Sequence, residues 1–184
     1  MAGIRDMAPI DLMQTCAPNI APTTLAAIVR HESDWNPHAL HNNTLGSSIK
    51  ASSKEEAVAV ATKMIKAGQS VDIGLGQINS QHLSKYKLSV EQVLDPCTNL
   101  RIAQDILLDG WKISGGNLMG ALSAYNTGKT NSATGLKYAN AVIAKAIGGD
   151  NYKGAPGQAY APASPLTSAL TPKGFSLASK AKDE

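Results

Sequence analysis

The sequence predicts a mostly helical α+β domain with a small β-hairpin region, and three observations carry that prediction. Of the 184 residues 43% are hydrophobic but only 4% are aromatic, so the core must be assembled from Ala, Leu, Ile, Val and Met, a set that leans towards helix. Apolar residues recur at the i, i+3, i+4 spacing of a helical face in several separate segments. Two stretches between them, residues 40–53 and 70–80, break that period with Asn, Ser, Thr and Gly and read as irregular or short-strand structure. The length suits one domain with a core and a tail, not two independent domains.

The first helical segment begins near Pro22 and carries Leu25, Ile28 and Val29 on one face, with Pro suited to the first helical turn. The next position of that stripe is Glu32. The helix should end within His31–Pro37, because Pro37 disfavours helical geometry at Asn36 and lacks an amide donor. Ser53 and Glu56 have capping-box spacing, and Ala57, Val58, Ala61, Met64 and Ile65 form one face of a helix that Gly68 should end. That helix is expected to pack beside a cleft. Residues 70–80 read as a strand and turn. Asp95-Pro96 supplies a cap and a first-position proline for a helix whose Leu100, Ile102, Ala103, Ile106, Leu107 and Trp111 leave few polar faces, which suits a central buried helix. Two shorter helical patterns, 117–124 and roughly 136–147, are divided by the turn Asn126-Thr127-Gly128. From Gly148 onward Gly, Ala, Pro, Ser and Lys dominate, so the division is a domain over 1–147 and a flexible tail over 148–184.

A net charge of +3 with no run of Lys or Arg excludes a nucleic-acid surface. No stretch approaches the roughly 20 apolar residues of a membrane span, and residues 1–11 lack the apolar core of a signal peptide. The chain therefore reads either as cytoplasmic or as a mature form. Cys16 and Cys97 allow one bridge or two buried thiols, without the CxxC or paired His spacing of a metal site. A bridge would close a loop of about 80 residues, contribute on the order of 4–5 kcal/mol, and require an oxidising compartment.

A carboxylate on an apolar stripe is costly to ionise, so Glu32 should have a raised pKa and serve as a general acid; the plainer alternative is a surface residue or helix cap. In Gly74-Leu75-Gly76-Gln77-Ile78-Asn79 the glycines permit close backbone approach, and Gln77 and Asn79 offer amides to sugar groups. Tyr125 and Asn126 could line a carbohydrate subsite or simply terminate a helix, and Tyr138 reads equally as a core tyrosine or as a partner that orients the acid.

In this order, Glu-Ser-x-x-Asn-Pro-x-Ala at 32–39, Gly-Leu-Gly-Gln-Ile-Asn at 74–79 and Ala-Tyr-Asn-Thr-Gly at 124–128 resemble the soluble lytic murein transglycosylases. The likeness is closest to the specialised branch that accompanies type IV secretion systems. It rests there on the 53–68 helix leading into Asp72-Ile73-Gly74-Leu75-Gly76-Gln77 and on Asp95-Pro96-Cys97-x-Asn99-Leu100, and it covers residues 12–147. The resemblance implies a lysozyme-like domain with its β-hairpin region beside the active-site cleft. Glu32 would protonate the bond between N-acetylmuramic acid and N-acetylglucosamine, then act as base on the muramoyl C6 hydroxyl, leaving a 1,6-anhydromuropeptide. Ser33, Gln77, Asn79, Tyr125, Asn126 and Tyr138 match positions that hold the acid and the sugar, with no metal or cofactor. Gly76 departs from the Met of the wider superfamily, and Ala139 from the usual Val after Tyr138.

The secretion branch further implies a Cys16–Cys97 disulfide, action in the periplasm after loss of a signal peptide that this chain lacks, peptidoglycan strands as substrate and secretion-channel proteins as partners. Asp72 resembles the second carboxylate of animal-type lysozymes, which leaves a hydrolase using Glu32 and Asp72 as an alternative. A third is a non-catalytic wall-binding assembly factor whose tail recruits channel proteins.

Overall fold

Residues 9–147 are described by a computed structural model, and the tail expected at 148–184 lies outside the described residues. A short helix, α1 (Pro9–Cys16), leads through a turn into α2 (Pro22–Glu32). Pro22 sits in the first turn of α2, where its missing N–H would have had no helical partner, and Leu25, Ile28 and Val29 are fully buried. The helix stops at Glu32 and Pro37 does not stop it. Asp34 and Trp35 turn the chain with left-handed φ values of 49° and 66°, a reversal that non-glycine residues rarely make.

The sheet is antiparallel in the order β2-β1-β3-β4, from β1 (Ala39–Asn42), β2 (Ser47–Lys50), β3 (Val71–Ile73) and β4 (Ile78–Asn79). Leu40 pairs with Ile73, and Ile73 with Ile78. Side chains alternate across a strand, so these three buried residues face the core. His41, Asp72 and Asn79, opposite one another in the register, share the other face. That alternation delivers Asp72 to the cleft side.

Between the two hairpins runs α3 (Lys54–Lys66). Ser53 caps it by accepting from the Glu56 amide at 3.2 Å, but the Glu56 carboxylate bonds Ser52, at 2.7 Å to its amide and 2.5 Å to its hydroxyl. The reciprocal half of the expected capping box is thus displaced by one residue. Gly68, at φ 76°, ends the helix as expected: its amide bonds Ile65 O and the Gln69 amide bonds Met64 O. Helix α3 packs on β1 and β3, and none of its own residues lines the cleft to which β3 brings Asp72.

Two short helices unforeseen in the sequence follow, α4 (His82–Tyr86) and α5 (Val90–Val93), the second opened by a complete capping box between Ser89 and Gln92. Helix α6 (Pro96–Ile113) is the central buried helix, capped by Asp95, whose carboxylate accepts from the Thr98 amide at 2.8 Å. Leu100, Ile102, Ala103 and Leu107 are buried among α1, α5, β4 and α7 (Leu118–Thr127). Helix α7 runs through Asn126 and Thr127, where a turn was expected, and ends only at left-handed Gly128. Helix α8 (Ala133–Ile147) packs on α7 and α2. A Cys16–Cys97 disulfide, with Cα atoms 5.1 Å apart, ties α1 to the start of α6. The architecture is therefore mostly helical with a small antiparallel sheet. No helix among the described residues is long and apolar enough to cross a membrane.

Candidate active site

Glu32 closes α2 half-buried at the edge of an open cleft of about 450 Å³. Burial pushes its carboxyl up to about 7, against the pull of a hydrogen bond from Tyr138 and with a further push from the negative charge of Asp72. The Tyr138 hydroxyl donates to Glu32 Oε1 at 2.5 Å, so one carboxyl oxygen is engaged from behind. Tyr138 does not itself line the cleft.

Tyr138 is fixed on two sides. The His31 ring meets it edge-on at 5.0 Å and 88°, and the Tyr125 ring stacks at 6.3 Å and 11°. The Tyr125 hydroxyl in turn donates to the Gly76 carbonyl at 2.7 Å. A chain of rings thus connects α2, α8, α7 and the turn between β3 and β4. Both tyrosines have pKa values raised well above the usual one, chiefly by burial and then by the charge of Glu32, so both remain neutral donors. His31, to which the sequence assigned no role, lies below its ordinary value through burial and the charge of Lys145. Its Nδ1 has no hydrogen-bond partner among the described residues.

The turn at 74–77 is held from α6. Asn99, fully buried, accepts from the Gly76 amide at 2.7 Å and donates to Ile73 O and Val93 O at 2.9 Å each. A Cβ on Gly76 would stand 2.9 Å from the Tyr125 hydroxyl and 3.0 Å from Ala103 Cβ. The space a larger residue needs is filled by Tyr125 and α6, which accounts for glycine at this position. Asn99 stood in a quoted motif without a role; its three backbone bonds are tertiary and leave no mark in local sequence.

The remaining expected residues divide. Asp72 lines the cleft with Glu32, and Asn79 Nδ2 donates to its Oδ1 at 2.7 Å. Asn79 also donates to Ser70 Oγ at 2.9 Å and accepts from the Gln81 amide at 3.0 Å, so its amide orients Asp72 and the adjoining chain. Gln77 Nε2 donates to Gly74 O at 2.8 Å and Ala39 O at 3.1 Å. Both amides line the cleft, but their N–H groups are committed to the protein. Asn126 is exposed on the cleft wall. Ser33 is buried and does not line the cleft: its hydroxyl bonds back to Val29 O at 3.1 Å, which places it with the helix end and away from a sugar. No group of three or more metal-ligating side chains occurs among the described residues.

One face of α6 supplies Ile106, Asp109, Gly110 and Ile113 to the cleft, and α4 supplies His82 and Lys85. The cleft thus joins a desolvated carboxyl acid, a second carboxylate, a tyrosine wall and a charged end. An acid whose pKa burial raises, sharing a cleft with an oriented carboxylate, is an arrangement suited to protonating a glycosidic oxygen.

The family model described as the transglycosylase SLT domain matches residues 11–147. Protein virB1 of Agrobacterium fabrum is 41% identical over 121 residues, covering 61% of this chain and 49% of that protein. The type IV secretion system protein virB1 of Brucella suis is 36% identical over 127 residues, covering 64% of this chain and 52% of that protein. Invasion protein IagB of Salmonella typhimurium is 31% identical over 123 residues, covering 65% of this chain and 62% of that protein. The chain therefore spans about half the length of the virB1 relatives it matches. No solved structure matches it.

Proposed function

The chain belongs to the transglycosylase SLT domain family, and from that premise we propose that it is a lytic transglycosylase that cuts the glycan strands of peptidoglycan, with Glu32 as the acid. The observation that carries the reading is the Glu32 carboxyl, pushed up to about 7 by burial, held by Tyr138 at 2.5 Å and facing a cleft of carbohydrate size. A carboxyl whose pKa lies near neutrality can give up a proton and take one back without a large penalty in either direction.

In the proposed reaction Glu32 gives its proton to the oxygen between N-acetylmuramic acid and N-acetylglucosamine, and the muramoyl C1–O bond breaks. The C6 hydroxyl of the same muramoyl residue then attacks C1, and its proton passes to the Glu32 carboxylate. The new C1–O6 bond leaves a 1,6-anhydro end, the enzyme regains its acid, and no water is consumed. Tyr138, by occupying Oε1, leaves the other oxygen to carry the proton. Asp72, held by Asn79, supplies negative charge near the cation-like sugar of the transition state.

A second reading follows from that same Asp72. A carboxylate fixed at 2.7 Å by Asn79 and lining the cleft with Glu32 suits a lysozyme-type hydrolase in which water is the final acceptor. The lyase reading is preferred because the family matched over residues 11–147 is a transglycosylase domain.

The names of the virB1 relatives support a role in opening the wall locally for a type IV secretion channel, with channel proteins as partners. The Cys16–Cys97 disulfide supports an oxidising compartment such as the periplasm. Release of soluble fragments from purified sacculi tests the activity. The native protein should release them, and Glu32→Gln should lower the rate by roughly 10²–10⁴-fold, the usual worth of a positioned acid. Undiminished release by the variant would remove Glu32 from the chemistry.

A further inference from the structure

The end of the cleft formed by α4 and α6 carries ions that the chemistry at Glu32 does not use. Lys85 of α4 meets Asp109 of α6 at 3.1 Å, with side chains 56% and 66% exposed, and both line the cleft. Lys85 is the one lysine or arginine among the described cleft-lining residues. The Asp109 bond holds its ammonium charged, raising its pKa above the ordinary value. One turn beyond Asp109 on α6, Ile113 is 63% exposed on the same wall.

The glycan backbone offers such a pair hydrogen bonds but no charge to match it. Its rings carry hydroxyls and acetamides, which are uncharged. The lactyl-linked stem peptides of the muramoyl residues differ. They bring carboxylates, methyl and methylene groups and, where a diamino dicarboxylic acid is not cross-linked, a free amino-acid head with an ammonium and a carboxylate on one carbon. An exposed cation beside an exposed anion complements that head in both signs, and an uncovered isoleucine one turn away complements its aliphatic arm. The Lys85–Asp109 pair is suited to exchange: an exposed ion pair contributes at most about 1 kcal/mol, so opening it to admit a ligand costs little.

We propose that Lys85 and Asp109 form a subsite for the stem peptide, in which Lys85 takes the carboxylate and Asp109 the ammonium of a zwitterionic amino-acid head while Ile113 covers its aliphatic arm. This rests on the peptidoglycan reading above and names which strands the cleft selects: those with uncross-linked stem peptides.

Binding by the Glu32→Gln protein, which should consume its ligand roughly 10²–10⁴-fold more slowly, tests the subsite apart from the chemistry. Soluble glycan strands that carry uncross-linked stem peptides are compared with the same strands stripped of peptide by an amidase. The Glu32→Gln protein should prefer the peptide-bearing strands. Adding Lys85→Met or Asp109→Asn should lower that preference about fivefold, as loss of an exposed charge contact of about 1 kcal/mol requires. The swap Lys85→Asp with Asp109→Lys retains an ion pair but reverses its polarity, and it should leave the preference low. Equal binding of the two strands, an unchanged ratio in the single variants, or full preference in the swap would each overturn the proposal. Preferential binding together with absent cleavage by the native protein would uphold the subsite and contradict the proposed activity.

Discussion

Replacing Glu32 by Gln should make the protein more stable, and only where the native carboxyl is forced to ionise. Folding raises this carboxyl from 4.5 to about 7, chiefly by burial. Below pH 4.5 it is protonated in both the folded and unfolded chain, and its ionisation costs the fold nothing. As pH rises from 4.5 through 7 the unfolded chain loses the proton first, and folded stability falls. At about 1.36 kcal/mol per pH unit that interval amounts to about 3 kcal/mol. The amide of Gln keeps the shape and still offers an oxygen to Tyr138, but it has no charge to desolvate. Urea unfolding of both proteins at about pH 4 and about pH 8 is the assay. The two should nearly coincide in acid, and at the higher pH the variant should be more stable by about 3 kcal/mol, on the order of 10 °C in Tm for a domain of this size. A difference of equal size at both pH values would assign the effect to packing. A variant less stable at high pH would refute the claim that burial strains this carboxyl.

Further expectations follow from the same geometry. Cleavage should fail on the basic side as the Glu32 proton is lost near pH 7, and Tyr138→Phe should move that limb of the rate profile to higher pH, because the lost hydroxyl favours the carboxylate; an unmoved limb would disconnect Tyr138 from the acid. Replacing both Cys16 and Cys97 by Ala removes a tie across 81 residues and should cost on the order of 4–5 kcal/mol, read as a fall in urea midpoint against the oxidised protein. Asn99→Ala strands Ile73 O, Val93 O and the Gly76 amide and should destabilise by about 3 kcal/mol or more, with cleavage falling as the turn at 74–77 loosens. Gly76→Met should lower cleavage without altering the far side of the core, since its Cβ meets the Tyr125 hydroxyl first; an unaffected Tyr125 ring in the variant would contradict that order.

The parts of the fold that were legible in the sequence carry repeated local signals. Pro22, Asp95-Pro96 and Asn117 mark the starts of α2, α6 and α7 because caps and first-turn prolines act within a few residues. The five-residue α4 and four-residue α5 are shorter than the window in which a helical period can repeat, although Ser89 and Gln92 spell out a capping box. Helix α2 stops on Asp34 and Trp35 in left-handed backbone, a conformation that neither side chain announces. At the site, the period of α2 points Glu32 inward, and that holds. The amides of Gln77 and Asn79 were legible as donors but not as donors already occupied, because Gly74, Ala39, Ser70 and Asp72 are chosen by the turn geometry. His31 and Asn99 act through contacts with Tyr138, Gly76 and Val93, which only the assembled fold brings together.

The central claim is that Glu32 regains its proton from the substrate's own C6 hydroxyl and requires no water. Mass spectrometry of the fragments released from peptidoglycan measures that directly. The account predicts muropeptides with 1,6-anhydro ends, each lighter by one water than its hydrolysed counterpart, with their release falling roughly 10²–10⁴-fold in Glu32→Gln. Reducing ends carrying the added water would contradict it and give the cleft to the pair of Glu32 and Asp72.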